Sequence, residues 1–213
     1  ESGRRDNIHK ARIKILVHQI GPEEMRKRVE KEFAEIKASG TLQLPEAEMR
    51  RIAAYFAPPS FEELPNESPE LEAAKKSDPA FANWLRTNVD AHKVPGYAIA
   101  TISLKPIGQT PGDCSSDQMD AIAGLMDEFG QQELRVTHEQ NLVFPHVKKR
   151  DLYAIWRKLD ALDLGTANHG LATDIISCPG LDYCDLANAR SINIAKEIAR
   201  RVADLERQHD LGE

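Results

Sequence analysis

The hydrophobic period of this chain first turns strand-like at Gly96, and that change limits what it can fold into more than any other feature. Before it, apolar residues recur every three or four positions, the spacing of a helix face. After it, GYAIATISLKPIG alternates Tyr97, Ile99, Thr101 and Ser103 against Ala98, Ala100, Ile102 and Leu104, the spacing of a strand. Helical stripes in one region and strand alternation in the next define an α+β protein, in which helices cover an antiparallel sheet.

In the helical part, Ile8, Ala11, Ile15 and Leu16 form one stripe that Gly21-Pro22 interrupts. Met25, Val29, Phe33 and Ile36 form a second, ending at Gly40, and a third pattern covers Glu46–Phe56. Between Ala57 and His92, Pro58, Pro59, Pro65, Pro69 and Pro79 fall among Glu, Asn and Ser. That texture reads as a linker over a surface, with a short helix around Ala80–Val89.

Beyond Gly96 the order is β-α-β-β-α. Ser115 and Gln118 have the spacing of a capping box, opening a helix with the stripe Met119, Ile122, Met126 and Phe129. ELRVT and NLVFPHV read as paired strands joined tightly at HEQ. Asp151 caps a helix carrying Leu152, Ile155, Leu159 and Leu162, closed by Gly165. A short strand over Thr173–Ser177 and a helix from about Asp185 to Leu205 follow, the helix burying Leu186, Ile192, Ala195, Ile198, Val202 and Leu205.

With 213 residues the chain can bury a core, and a formal net charge of −6 gives no support for general nucleic-acid binding. No apolar run reaches membrane-spanning length, so no membrane partner is expected. Three cysteines make a poor secreted disulfide framework and point to a reducing cytoplasm. The chain opens at Glu1 without leader or tail, and it is expected to be a piece of something longer.

Two of those cysteines share the segment DIISCPGLDYCDLANA, six positions apart. Pro179-Gly180 bends the chain between Cys178 and Cys184, and the start of the following helix would favour thiolates or an anionic cluster. Two thiolates are half of what a four-iron cluster takes, and they leave a zinc site half built. Buried packing residues are the other reading of the pair. Cys114, in GDCSS, reads as an unpaired, partly exposed thiol.

Three segments resemble the sirohaem-dependent sulfite and nitrite reductases, and they stand in the family's order across nearly the whole chain. RRDNIHKARIKILVHQIG is similar to the helix after the first sirohaem-domain half. ELRVTHEQNLVF is similar to the second-half hairpin, with its Arg-x-Thr-x-x-Gln-Asn pattern. SCPGLDYCDLANA is similar to the first cysteine pair of the four-iron four-sulfur cluster. Bacterial assimilatory sulfite reductase haemoprotein is the subgroup that this pattern resembles most.

The resemblance implies a division of the chain. Residues 1–56 would be the helical end of a first sirohaem and cluster half, 57–95 a linker, 96–166 a ferredoxin-like half-domain, and 167–213 the start of the second half. It makes Cys178 and Cys184 cluster ligands, and Arg135, Gln140 and Asn141 sirohaem contacts, since that cofactor's many carboxylates call for arginine and amide donors. It implies two cofactors, sirohaem and a 4Fe-4S cluster, both completed by residues outside this chain, including a second pair Cys-x3-Cys. The activity implied is six-electron reduction of sulfite to sulfide, or of nitrite to ammonia, with electrons from an external ferredoxin or flavoprotein. No catalytic residue is expected within the chain, and the piece alone is expected to be inactive. His138 and His169 read as loop histidines, and Arg5, Arg12 and Lys14 as a solvated helix face. The alternative from another class is a ferredoxin-like ligand-sensing or interaction module whose cysteines are merely buried.

Overall fold

A computed structural model describes residues 6–130 and 132–209. Arg5 lies outside them. The chain divides into two compact units, Glu1–Pro58 and Pro59–Glu213.

The first unit is helical: α1 (Ile13–Ile20), α2 (Pro22–Ser39) and α3 (Glu46–Tyr55). Gly21, at φ 83°, ends α1, and Pro22 then opens α2, where a missing N–H costs nothing. The single stripe expected from Ile8 through Leu16 is broken. Ile8–Lys10 is a 3-10 turn, and Arg12 is extended (φ −120°, ψ 138°), so α1 starts only at Ile13. Arg12 and Lys14 are exposed. None of the three helices buries a residue, and Val29, Phe33, Met49 and Tyr55 remain exposed.

The second unit holds a four-stranded antiparallel sheet among the described residues. Its strands are β1 (Val89–Ala91), β2 (Tyr97–Ile102), β3 (Arg135–Val136) and β4 (Leu142–Lys148), in the order β1-β2-β4-β3. The helices are α4 (Pro69–Ser77), α5 (Pro79–Asn88), α6 (Ser116–Phe129), α7 (Leu152–Asp160) and α8 (Ile192–His209). One sheet face carries Ala98, Ala100, Ile102 and Leu104 with Phe144 and Val147. It packs against Phe81 and Trp84 of α5, Ile122, Leu125 and Met126 of α6, and Leu152, Ile155, Trp156 and Leu159 of α7.

The β-α-β-β-α order is therefore present, with an unforeseen edge strand, β1. The stretch expected to run as a linker is largely structured. Pro69 and Pro79 are the first residues of α4 and α5, capped by Ser68 and Asp78, and Phe81 and Trp84 are wholly buried. The short helix expected around Ala80–Val89 is α5, while α4 was hidden by proline density, since proline at a helix start favours the helix instead of breaking it.

Pro145 lies inside β4, a central strand. It is tolerated because it sits with His146 in a bulge opposite Ile99, between the pairs Ala98–Val147 and Ala100–Phe144. The capping box forms, with Ser115 Oγ accepting from Gln118 N at 3.2 Å and Gln118 Oε1 from Ser115 N at 3.0 Å. Asp151 makes no capping bond, because the 3-10 turn Lys149–Asp151 runs straight into α7. That helix ends at Asp160, short of Gly165.

Two expectations near the C-terminus fail. Thr173–Ser177 forms no strand, because its polar groups bond to loops and side chains and not to a ladder. The last helix begins at Ile192, not Asp185; the preceding residues are occupied by turns. Its buried side is accordingly Ile192, Ala195 and Ala199, while Leu186 is 95% exposed and Ile198 and Leu205 are exposed too.

Candidate cluster site and its attachment to the sheet

β2 is buried on both sides. Opposite the helical face, Tyr97, Thr101 and Ser103 are covered as well, and the same alternation ends in Lys105, also buried. Residues 166–177 return across this end of the strand, and side chains replace the missing ladder. Asn88 Nδ2 donates to the carbonyls of Thr101 (3.0 Å) and Thr166 (3.1 Å), and Asn168 Nδ2 donates to the carbonyl of Lys105 (3.1 Å).

Lys105 and Asp174 form the centre of this attachment. Lys105 Nζ lies 2.6 Å from Asp174 Oδ1, with the two side chains 2% and 4% exposed, and it also donates to the carbonyl of Glu139. Asn141 Nδ2 donates to the same Oδ1 at 3.0 Å, and Gly170 N donates to Oδ2 at 3.0 Å. His169 Nδ1 lies 3.3 Å from Oδ2. Burial alone would raise the Asp174 pKa, but these donors outweigh it and hold the carboxyl below its ordinary range. His169 is thus a half-buried partner of Asp174, while His138 is exposed beside Glu139.

Three residues later, Gln140 fixes Ser177 through two hydrogen bonds. Its Nε2 donates to Ser177 O at 2.9 Å, and its Oε1 accepts from Ser177 N at 3.0 Å. Gln140 is at φ 60°, the left-handed turn of the β3–β4 connection. Gly112 approaches it so closely that a Cβ there would lie 2.8 Å from the Gln140 Cβ.

Cys178 follows Ser177 directly and is exposed; Cys184 is half-buried, and both thiols are free. Between them Gly180 adopts φ 57°, and a Cβ at that position would meet the carbonyl oxygen of Ala189 at 2.4 Å. The turn closes through Cys184 N to Gly180 O (2.9 Å) and Leu181 N to Ala189 O (3.0 Å). Soft thiol donors on a turn of this kind suit an iron–sulfur cluster, and two stand here against the four that such a cluster takes. Among the described residues no group of three or more His, Cys, Asp and Glu side chains is placed to hold a metal ion.

The hairpin residues separate by role. Arg135 is exposed, and its guanidinium is paired with Glu133 at 2.6 Å. Register places it beside Val143 and on the side of the sheet that Thr101 shares. Asn141 has other partners than a cofactor: it is 0% exposed, its Oδ1 accepts from Leu104 N at 3.2 Å, and its Nδ2 is held by Asp174. Sequence reasoning missed Lys105, Asp174, Asn88 and Asn168. The one signal for Lys105 was its place at the end of a strand alternation whose outer face, Tyr97, Ile99, Thr101 and Ser103, carries no other charge.

The far end of the same sheet side holds a second cluster. His92 Nε2 and His146 Nδ1 are 3.0 Å apart, and both rings meet Phe61 edge-on. Val94 N donates to His92 Nδ1 at 2.9 Å, so the neutral His92 carries its proton on Nε2 and donates to His146. The remaining N–H of His146 then faces Glu133 Oε2 at 3.6 Å.

An antiparallel sheet with helices on one face, and a cysteine turn fastened to the other, define a ferredoxin-like half-domain with a candidate cluster loop. Residues 98–162 match the nitrite/sulfite reductase ferredoxin-like half domain. The chain is 27% identical over 210 residues to a chloroplastic ferredoxin–nitrite reductase of Zea mays, covering 94% of this chain and 30% of that protein. It is 30% identical over 113 residues to a sulfite reductase [ferredoxin] of Mycolicibacterium paratuberculosis, covering 50% of this chain and 20% of that one. The solved structure of the Mycobacterium tuberculosis NirA protein shares the fold, with a TM-score of 0.51 and 22% identity, over 99% of this chain and 32% of that chain. The family match covers residues 98–162, the half domain itself, and the chain spans about 30% of the length of the maize relative.

Proposed function

We propose that this chain forms part of a sirohaem and iron–sulfur reductase that converts sulfite to sulfide or nitrite to ammonia, with Cys178 and Cys184 as two of the cluster's ligands. The observation that carries the reading is the exposed cysteine turn, anchored at Ser177 by Gln140 in a chain similar to these reductases. Neither thiol is buried in the core.

A cluster and sirohaem, when bound, supply the path for single electrons and the iron that takes the anion. The chain's own residues do the rest of the work assigned to them here. Cys178 and Cys184 offer soft thiolates from a turn that Gly180 keeps closed. Arg135, exposed and oriented by Glu133, offers guanidinium N–H groups to a cofactor carboxylate. Gln140 and Asn141 serve by fixing the loop and the strand end. Electrons would come from an external ferredoxin or flavoprotein, in a reducing cytoplasm that suits three free cysteines. No helix among the described residues is long and apolar enough to cross a membrane.

The test is iron and acid-labile sulfide in the product of the whole reading frame that carries this sequence. Cys178→Ser and Cys184→Ser should each remove the cluster, and the visible bands of sirohaem should weaken with it. Full cluster content in Cys178→Ser would overturn the assignment.

A further inference from the structure

We infer that Lys105 and Asp174 are positioning residues for the cluster loop: they set where Cys178 stands relative to the sheet, and they do more than stabilise the fold. The inference rests on the reading of Cys178 and Cys184 as ligands and concerns a pair that the ligand assignment does not include.

The segment leading to Cys178 has no strand to hold it, so its position depends on side chains. Asp174 receives four polar groups from three separate places. Lys105 lies beyond the end of β2, Asn141 precedes β4, and Gly170 and His169 belong to the returning loop. Lys105 in turn donates to the Glu139 carbonyl, next to Gln140, whose amide grips Ser177 from the other side. Asp174 and Ser177 are thus fixed to the same hairpin connection, three residues apart, immediately before Cys178.

An apolar pair of similar bulk could replace the ion pair's contribution to stability. It could not replace the carboxylate's bonds to Gly170 and Asn141. Outer partners that orient metal ligands typically change metal retention about tenfold or more. Stability and positioning therefore separate experimentally.

The variants are Lys105→Met, Asp174→Leu, the double Lys105→Met/Asp174→Leu, and Gln140→Leu, which leaves the ion pair in place. Hydrogen exchange in the 213-residue chain reports the amides of Gly170 and Ser177 against those of Ile155, Trp156 and Leu159. Iron release to a chelator is read in the product of the whole reading frame. In the double variant the melting temperature should recover part of what either single variant loses, the rest being the cost of the buried Asn141 amide left without its acceptor. The Gly170 and Ser177 amides should nevertheless exchange at least about tenfold faster while the α7 amides are unchanged, and iron should be lost about tenfold faster. Gln140→Leu should speed Ser177 exchange and iron loss without lowering the protection of α7, which keeps the inference testable if Asp174 variants fail to fold. Wild-type exchange at Ser177 together with wild-type iron retention in a stably folded double variant would overturn it. Faster exchange at Ser177, with full iron retained by Cys178→Ser, would instead overturn the ligand reading alone.

Discussion

Lys105 Nζ and Asp174 Oδ1 meet 2.6 Å apart inside the protein, although the two residues are 69 positions apart in the chain. Each is almost shut off from solvent, so each charge relies on the other and on the hydrogen bonds around it.

Removing one partner should therefore be costly. Lys105→Met leaves the Asp174 carboxylate buried with only amide and histidine partners, a loss of about 3–5 kcal/mol for breaking a buried pair. Asp174→Asn should cost a similar amount, since it strands the ammonium. Denaturant unfolding of the chain measures both. A loss under about 1 kcal/mol would place the pair with ordinary surface bridges.

The same pair fixes a pH dependence. Asp174 has its folded pKa held below the ordinary 3.8, so the unfolded state takes up its proton first as pH falls. The stabilisation is complete above the ordinary value and is lost as pH drops through the lower folded value. The stability difference between wild type and Asp174→Asn should hence be flat at neutral pH and shrink only in that acidic window. A difference that shrinks already near neutrality would assign the titration to another group.

The core was legible from the sequence, and the attachment was not. Ala98, Ala100, Ile102 and Leu104 announced a strand with one apolar face, and Ile155 and Leu159 announced the helix laid against it. α4 and the burial of Phe81 and Trp84 were lost to a proline-rich texture, because Pro69 and Pro79 act as helix starts there. Cys178 and Cys184 stood out as candidates only from spacing and resemblance together. Lys105 and Asp174 were not, since a buried ion pair is defined by long-range geometry and carries no local period. Leu186 failed for the opposite reason: helical spacing extended across it, while turns kept the helix from starting before Ile192.

His146 supplies a second pH dependence, nearer neutrality. Burial lowers its pKa from the ordinary 6.5; Glu133, the next largest effect, opposes this, and His92 and Arg135 add to the lowering. A depressed folded value means that stability is complete above 6.5 and falls as pH drops through the folded pKa. Protonation would also remove the Nδ1 acceptor that His92 donates to, setting two N–H groups against each other beside Phe61. His146→Phe should flatten the stability profile just below pH 6.5 while keeping the aromatic contact. Thermal melts across that range decide it, and an unchanged slope in the variant would assign the effect elsewhere.

The cysteine turn offers the most local test, at Gly180. Its φ of 57° is strained for any residue with a Cβ, and the added carbon would lie 2.4 Å from the Ala189 carbonyl oxygen and 2.9 Å from Ser191 Oγ. The Ser191 hydroxyl could rotate away, but the Ala189 carbonyl is backbone and cannot, so Gly180→Ala must open the turn. The bonds closing it, Cys184 N to Gly180 O and Leu181 N to Ala189 O, should then be lost. Strain of this type costs roughly 1–3 kcal/mol, and it falls on a turn outside the helix-and-sheet core. The melting of the chain should therefore change little, while the amides of Leu181 and Cys184 exchange faster and the Cys184 thiol, half-buried in the wild type, reacts more readily with an alkylating reagent. In the product of the whole reading frame the same substitution should reduce iron content although both thiols are intact. Iron content equal to wild type, with Leu181 and Cys184 deprotected, would show that the closed turn is not what presents the two sulfurs.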